Sequence, residues 1–228
     1  MPADNLTEQL QEHIEELDEH LAVAPNRIEA YYQDEEPAEG FPEYEEPPHQ
    51  QIIRRGLTAI EFAYEYEQKD PFVDLSINWG TRDIVFAHVG VGLELLLTGI
   101  YMKVDPENFI LKLRKNDGET PNHDTAKRRV MGFLPDSLSD SQRKQISLVI
   151  DIVHEQRNNT VHLGLHGFHQ QGLMIAYYEV CAYLAAQFSD EPFSLVEEIE
   201  AHRDAAREGV VVSGRPPEHQ LPLTDGTE

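Results

Sequence analysis

Apolar residues along this chain recur at helical spacing, and no run alternates with period two beside a good turn signal. In residues 6–22, Leu6, Leu10, Ile14, Leu17 and Leu21 form one narrow stripe among Glu, Gln and Asp, ended by Pro25. A stripe this narrow predicts an arm laid on its own domain or paired with a copy of itself. Residues 51–68 give a broad apolar face through Ile53, Leu57, Ile60, Phe62, Ala63 and Tyr64, with Asp70-Pro71 as the breaker. Residues 79–103 are apolar almost all round, as expected of a central helix. One stripe there differs: Asp83, Ala87, Gly90, Glu94, Thr98 and Tyr101 either let another helix approach closely, with Glu94 inside the contact, partly buried and paired, or form the solvent side. Residues 104–138 predict a long connection holding a short helix or two. A further helix runs from a cap at Ser139 or Asp140 to about Arg157, another spans 166–188, and Pro192 opens a last one over 192–208. The fold predicted is all-α, an up-and-down four-helix bundle with an N-terminal helical arm and an additional C-terminal helix.

Composition divides the chain. Residues 1–50 hold 15 of the 42 acidic residues against one base, Arg27, and 33–49 carry Pro37, Pro42, Pro47 and Pro48 among acids. This predicts an acidic helix and Pro/Glu-rich linker over 1–50, a helical bundle over 51–208 and a disordered tail over 209–228. A net charge of −24 with 6 Lys to 12 Arg resembles the exterior of salt-adapted proteins, whose self-repulsion is screened at high ionic strength; the alternative is an ordinary acidic protein with a disordered acidic arm. The single cysteine, Cys181, lies in an apolar run and excludes an internal disulfide framework. The N-terminus has neither a basic nor an apolar leader region, and His88 and Glu94 interrupt the most apolar segment, so the expected location is cytoplasmic, with no membrane span.

One island runs against the acidic trend. Between 112 and 144, eight bases (Lys112, Arg114, Lys115, Lys127, Arg128, Arg129, Arg143, Lys144) meet five acids. Such a cluster either balances charge locally or contacts phosphate, and Lys112, Arg114, Lys115, Lys127, Arg128 and Arg129 are the candidate RNA-binding residues.

The chemistry-bearing stretch is Gln156-Arg157-Asn158-Asn159-Thr160-Val161-His162, between the two best-patterned helices of the second half. Chance matches to Arg-Asn followed four positions later by His number about 0.02 in a chain of this composition. On an unbroken helix, positions 157 and 162 would point ~140° apart. Asn158-Asn159 favours a turn, so the expectation is that the helix ends or kinks near Asn158 and lets His162 swing toward Arg157.

Arg-Asn-x-x-x-His between the last two bundle helices resembles the HEPN superfamily (higher eukaryotes and prokaryotes nucleotide-binding). The segment His88-Val89-Gly90-Val91-Gly92-Leu93-Glu94-Leu95-Leu96-Leu97 is similar to that family's apolar, Glu-containing helix, with Thr98 where many relatives carry a basic residue. The resemblance covers about residues 51–188. It implies a two-fold dimer with two motifs facing one cleft, and for many members metal-independent endoribonuclease activity in toxin–antitoxin or phage-defence systems. RNA and a possible antitoxin protein are then the implied partners, and no cofactor is needed. Other members bind nucleotides or proteins without cleaving.

The side chains suit that reaction. RNA can be cut without metal by its own 2′-hydroxyl; His162 would transfer protons near neutral pH, Arg157 would hold the phosphate, Asn158 would position, and Glu94 and His166 would support. Three other readings compete. Arg157 can be a cation at a helix C-terminus with His162 in a turn. The bundle can bind a nucleotide or protein without cleaving. His162, His166 and His169, joined by Asp151 or His154, can hold zinc, although Gly164 and Gly167 spoil a regular face; no metal is assigned.

Overall fold

The structure is a computed structural model. It describes residues 3–33, 46–69, 79–116, 119–163, 171–190, 193–197 and 199; of these, 3–10, 16–21, 68–69, 79–83, 162–163, 171–173 and 175 are described by backbone alone. The described residues are mostly helical, joined by turns, with no strand among them. The helices are α1 (Ala3–Gln33), α2 (Pro48–Lys69), α3 (Trp79–Val104), α4 (Pro106–Lys115), α5 (His123–Gly132), α6 (Asp140–Leu163) and α7 (Gln171–Phe188). The linker centred on residues 34–45, most of the expected last helix and the tail lie outside the described residues.

The all-round apolar segment is the hub, as predicted. Val89, Leu93, Leu96, Leu97 and Ile100 of α3 are at most 1% exposed, and α3 packs against α2, α4, α5, α6 and α7. Burying each such side chain contributes roughly 1.5–3 kcal/mol. By length and composition, Ile84–Val104 could also cross a membrane, but 61% of that window is buried inside the protein.

Glycine sets how closely α2 and α3 approach. A methyl group on Gly92 would lie 2.8 Å from the Gly56 carbonyl oxygen, and one on Gly56 would lie 2.7 Å from the Gly92 carbonyl oxygen. The two backbones therefore touch where neither residue has a Cβ.

Two boundaries differ from expectation. Helix α1 does not stop at Pro25 but continues to Gln33. Interior proline costs ~3 kcal/mol. Against that cost, Pro25, Ile28 and Ala30 are buried, Arg114 of α4 pairs with Glu29, and Tyr32 Oη lies 2.6 Å from Nδ1 of His49 on α2. Earlier in the arm, Ile14 of the narrow stripe is 51% exposed. Helix α6 runs five residues past Asn158, to Leu163, and has no break there.

The expected connection over 104–138 contains α4 and α5. Asp105 caps α4, with Pro106 in the first turn, and also pairs with Arg129 of α5. Asn122 caps α5, its side chain accepting from the Thr125 N–H at 3.0 Å. Ser139 supplies the cap of α6: its N–H donates to Gln142 Oε1 at 2.9 Å, and its Oγ accepts from Gln142 N–H at 3.3 Å. Arg143 closes the turn before α6 by donating to the carbonyls of Leu134 (3.1 Å) and Pro135 (2.7 Å). Lys103, in the last turn of α3, donates to the Phe188 carbonyl at the end of α7 (2.9 Å) and pairs with Asp190 (2.7 Å).

Candidate functional site

The site forms where α3, α5 and α6 meet. Gly90 makes the approach possible: a methyl group there would lie 2.4 Å from Cβ of Arg157, so this face of α3 admits the arginine stem only because it is bare. One turn on, Glu94 points into the same contact. Its carboxylate is 3.6 Å from Nη2 of Arg157 through Oε2 and 3.0 Å from Nδ1 of His154 through Oε1. Glu94 is therefore partly buried and paired, which decides the stripe as a helix contact and not a solvent face.

Four residues close into a circuit. Arg157 Nη1 donates to Asn158 Oδ1 at 2.9 Å, Asn158 Nδ2 lies 2.9 Å from His154 Nε2, and His154 Nδ1 reaches Glu94, which returns to Arg157. The proton assignment that satisfies every contact makes His154 neutral, with N–H at Nδ1 donating to Glu94 and Nε2 accepting from the Asn158 amide. Asn158 thus fixes the tautomer of His154 while its oxygen orients the guanidinium.

His123 completes the group. Its ring stacks on that of His154 with centroids 3.7 Å apart and planes 11° from parallel. Both ring nitrogens are shut away from solvent and have no hydrogen-bond partner among the described residues. An unmet buried polar group costs about 1–3 kcal/mol. Burial, then the neighbouring His154, pushes the His123 pKa below its ordinary value of 6.5 against the pull of Glu94, Asp124 and Asp151, so the ring is held neutral. Glu94, His123 and His154 line a cavity of about 200 Å³, whose walls include Thr98, Thr120 and Asn122.

The sequence-predicted residues divide accordingly. Arg157, Asn158 and Glu94 come together. His162 is described by backbone alone, and because α6 is unbroken through it, positions 157 and 162 stand ~140° apart around the axis instead of converging through a kink. His166 and His169 lie outside the described residues. Of the basic island, Lys127 pairs with Asp151 (2.5 Å), Arg129 with Asp105 and Arg114 with Glu29, while Lys112, Lys115 and Arg128 are exposed. Several of its charges are thus balanced by acids of other helices.

His123 has no precursor as a candidate in the sequence, and His154 enters there only beside the zinc alternative. A signal existed for His154: it precedes Asn158 by four residues and so shares its helix face. None existed for His123, whose position depends on the Asn122 cap and on docking of α5 against α3.

Comparison with family models, with curated proteins and with solved structures returns no match.

Proposed function

We propose that this chain is an endoribonuclease of the HEPN type that acts as a two-fold dimer, a toxin or defence component with an antitoxin as a possible partner. One observation carries the reading. The Arg157–Asn158 pair is seated against a second helix by Glu94, beside a cavity, instead of standing free at a helix end. A cation serving only the helix terminus needs no such seat. The contacts among α2, α3, α6 and α7 form a closed ring, which supports an up-and-down four-helix bundle.

In this reaction the 2′-hydroxyl attacks the adjacent phosphorus, the P–O5′ bond breaks, and a 2′,3′-cyclic phosphate and a 5′-hydroxyl result. A base takes the 2′ proton and an acid supplies one to the leaving oxygen. Arg157 holds the non-bridging oxygens, where charge grows in the transition state. Since positions 157 and 162 face apart on one helix, the His162 that works with a given Arg157 comes from the second copy. The Glu94–His154 pair favours a second assignment within the same reaction. Its carboxylate orients the imidazole and leaves Nε2 as the base once substrate displaces the Asn158 amide.

The test is digestion of a labelled RNA, with analysis for cyclic phosphate ends, with and without chelator. Chelator-resistant cleavage lost in Arg157→Ala is expected. Loss in His162→Ala but not His154→Ala supports the first assignment, and the converse supports the second. RNA or nucleotide binding without cleavage in the wild-type protein refutes the enzyme and leaves a binding module.

A further inference from the structure

We propose that Glu94, His123 and His154 form a binding site for a divalent transition-metal ion of the zinc class, built across α3, α5 and α6. The proposal is independent of the ribonuclease reading. Two imidazoles and a carboxylate are a donor set that such ions take, and one donor atom from each of the three residues lies within 4.8 Å of the others. Bonds of ~2.0–2.1 Å in tetrahedral geometry place ligand atoms roughly 3.4 Å apart, so the donors close on an ion by moving under about 1 Å each.

Three further observations point to a ligand here. The nitrogens of His123 are enclosed and have no partner among the described residues, so the protein itself leaves their bonding capacity unused. The two rings stack face to face, an arrangement that two imidazolium ions would resist and that suits the neutral form metals require. The cavity of about 200 Å³ adjoins all three residues and leaves the fourth coordination position to water or an anionic oxygen. Asp124 and Asp151 add negative potential around His123, and the positive charges facing the group are Arg157 on Glu94 and Lys127 on Asp151.

Occupancy acts on the arginine. Ligation through His154 Nδ1, the nitrogen already facing Glu94, moves the ring proton to Nε2. An N–H at Nε2 needs an acceptor, so Asn158 turns its amide to offer Oδ1 and withdraws that oxygen from Arg157. Glu94 meanwhile gives a carboxylate oxygen to the ion, and the guanidinium is repelled by the new charge. The metal and the seated arginine therefore compete for Glu94 and Asn158. This site shares only His154 with the histidine group His162, His166 and His169.

The experiment is titration of full-length, chelator-treated protein with Zn²⁺ by calorimetry and with Co²⁺ by visible absorption. One equivalent per chain is expected. His123→Ala and Glu94→Gln should each weaken binding by more than the roughly 10–100-fold typical of losing an outer-shell partner. Arg157→Ala should tighten it severalfold, which adventitious binding to surface histidines would not do, and His166→Ala should leave it unchanged. Circular dichroism checks that each variant folds; if His123→Ala does not, Glu94→Gln carries the test. Absence of binding at millimolar metal, wild-type affinity in Glu94→Gln, or loss of binding in His166→Ala would each overturn the site. None of these readouts uses cleavage.

Discussion

Gly92→Ala measures how tightly α2 and α3 are pressed together. The added methyl would lie 2.6 Å from Ile60 Cγ1, 2.8 Å from the Gly56 carbonyl oxygen and 3.2 Å from Ile60 N. Ordinary contacts are ~3.5–4.0 Å. The Ile60 side chain can turn away, but the Gly56 oxygen belongs to the backbone of α2 and moves only if the helix moves. Overpacking of this kind costs ~1–3 kcal/mol, with a rigid partner placing it at the upper end. Alanine regains about 1 kcal/mol of helix propensity over glycine. The net loss is about 2 kcal/mol, or a fall in Tm of roughly 4–8 °C for a chain of this size. Gly132→Ala is the control, since nothing lies within 4 Å of a methyl group there. It should gain ~0.4–1 kcal/mol by restricting the unfolded chain and raise Tm by roughly 1–4 °C. Thermal unfolding followed by circular dichroism reads both. If Gly92→Ala melts at or above wild type, as Gly132→Ala should, the backbone contact between α2 and α3 is wrong.

Three further outcomes are expected. Burial pushes the Cys181 thiol up to about 12, so native protein should resist alkylation at pH 8 and label fully once denatured; rapid native labelling would contradict its burial. Burial also lowers the pKa values of His49 and His123 below 6.5, so the unfolded chain binds protons at these residues before the folded one does. Stability contributed by keeping them neutral is complete above about pH 6.5 and is lost as pH falls below it, so the urea midpoint should drop between pH 7.5 and 5.5, and less in His49→Asn. With a net charge of −24, Tm should rise as salt increases from ~0.1 M to ~1 M and the Debye length shrinks from ~10 to ~3 Å; a fall would mean that ion pairs such as Lys127–Asp151 outweigh self-repulsion.

The parts of the fold legible in the sequence were those written in period and residue size. The all-round apolar run at 79–103 became the hub, and the stripe through Gly90 and Glu94 became the face against α6. What local rules could not give was the outcome when tertiary contacts oppose them. Pro25 reads as a stop, yet α1 continues because Ile28, Ala30 and Tyr32 find partners beyond it. Asn158-Asn159 reads as a turn, yet the helix persists, with Asn158 spending its side chain on Arg157 and His154. The asparagine preference is worth only about 0.5–0.7 kcal/mol per residue, and even the ~3 kcal/mol cost of an interior proline is offset by the contacts beyond it. The candidate site was legible on one helix face and not across helices. Arg157 and Asn158 announced themselves, while His123 depends on a docking between α5 and α3 that no short spacing encodes.

The position of α3 also shapes how the molecule comes apart. Five other helices share their buried surface with it, so none can detach without exposing residues on which the rest depend. Amide exchange should therefore fall into two classes. Slow amides spread over α2, α3, α6 and α7 should open together with one common free energy, and fast ones around Ile14, where α1 is exposed, should open on their own.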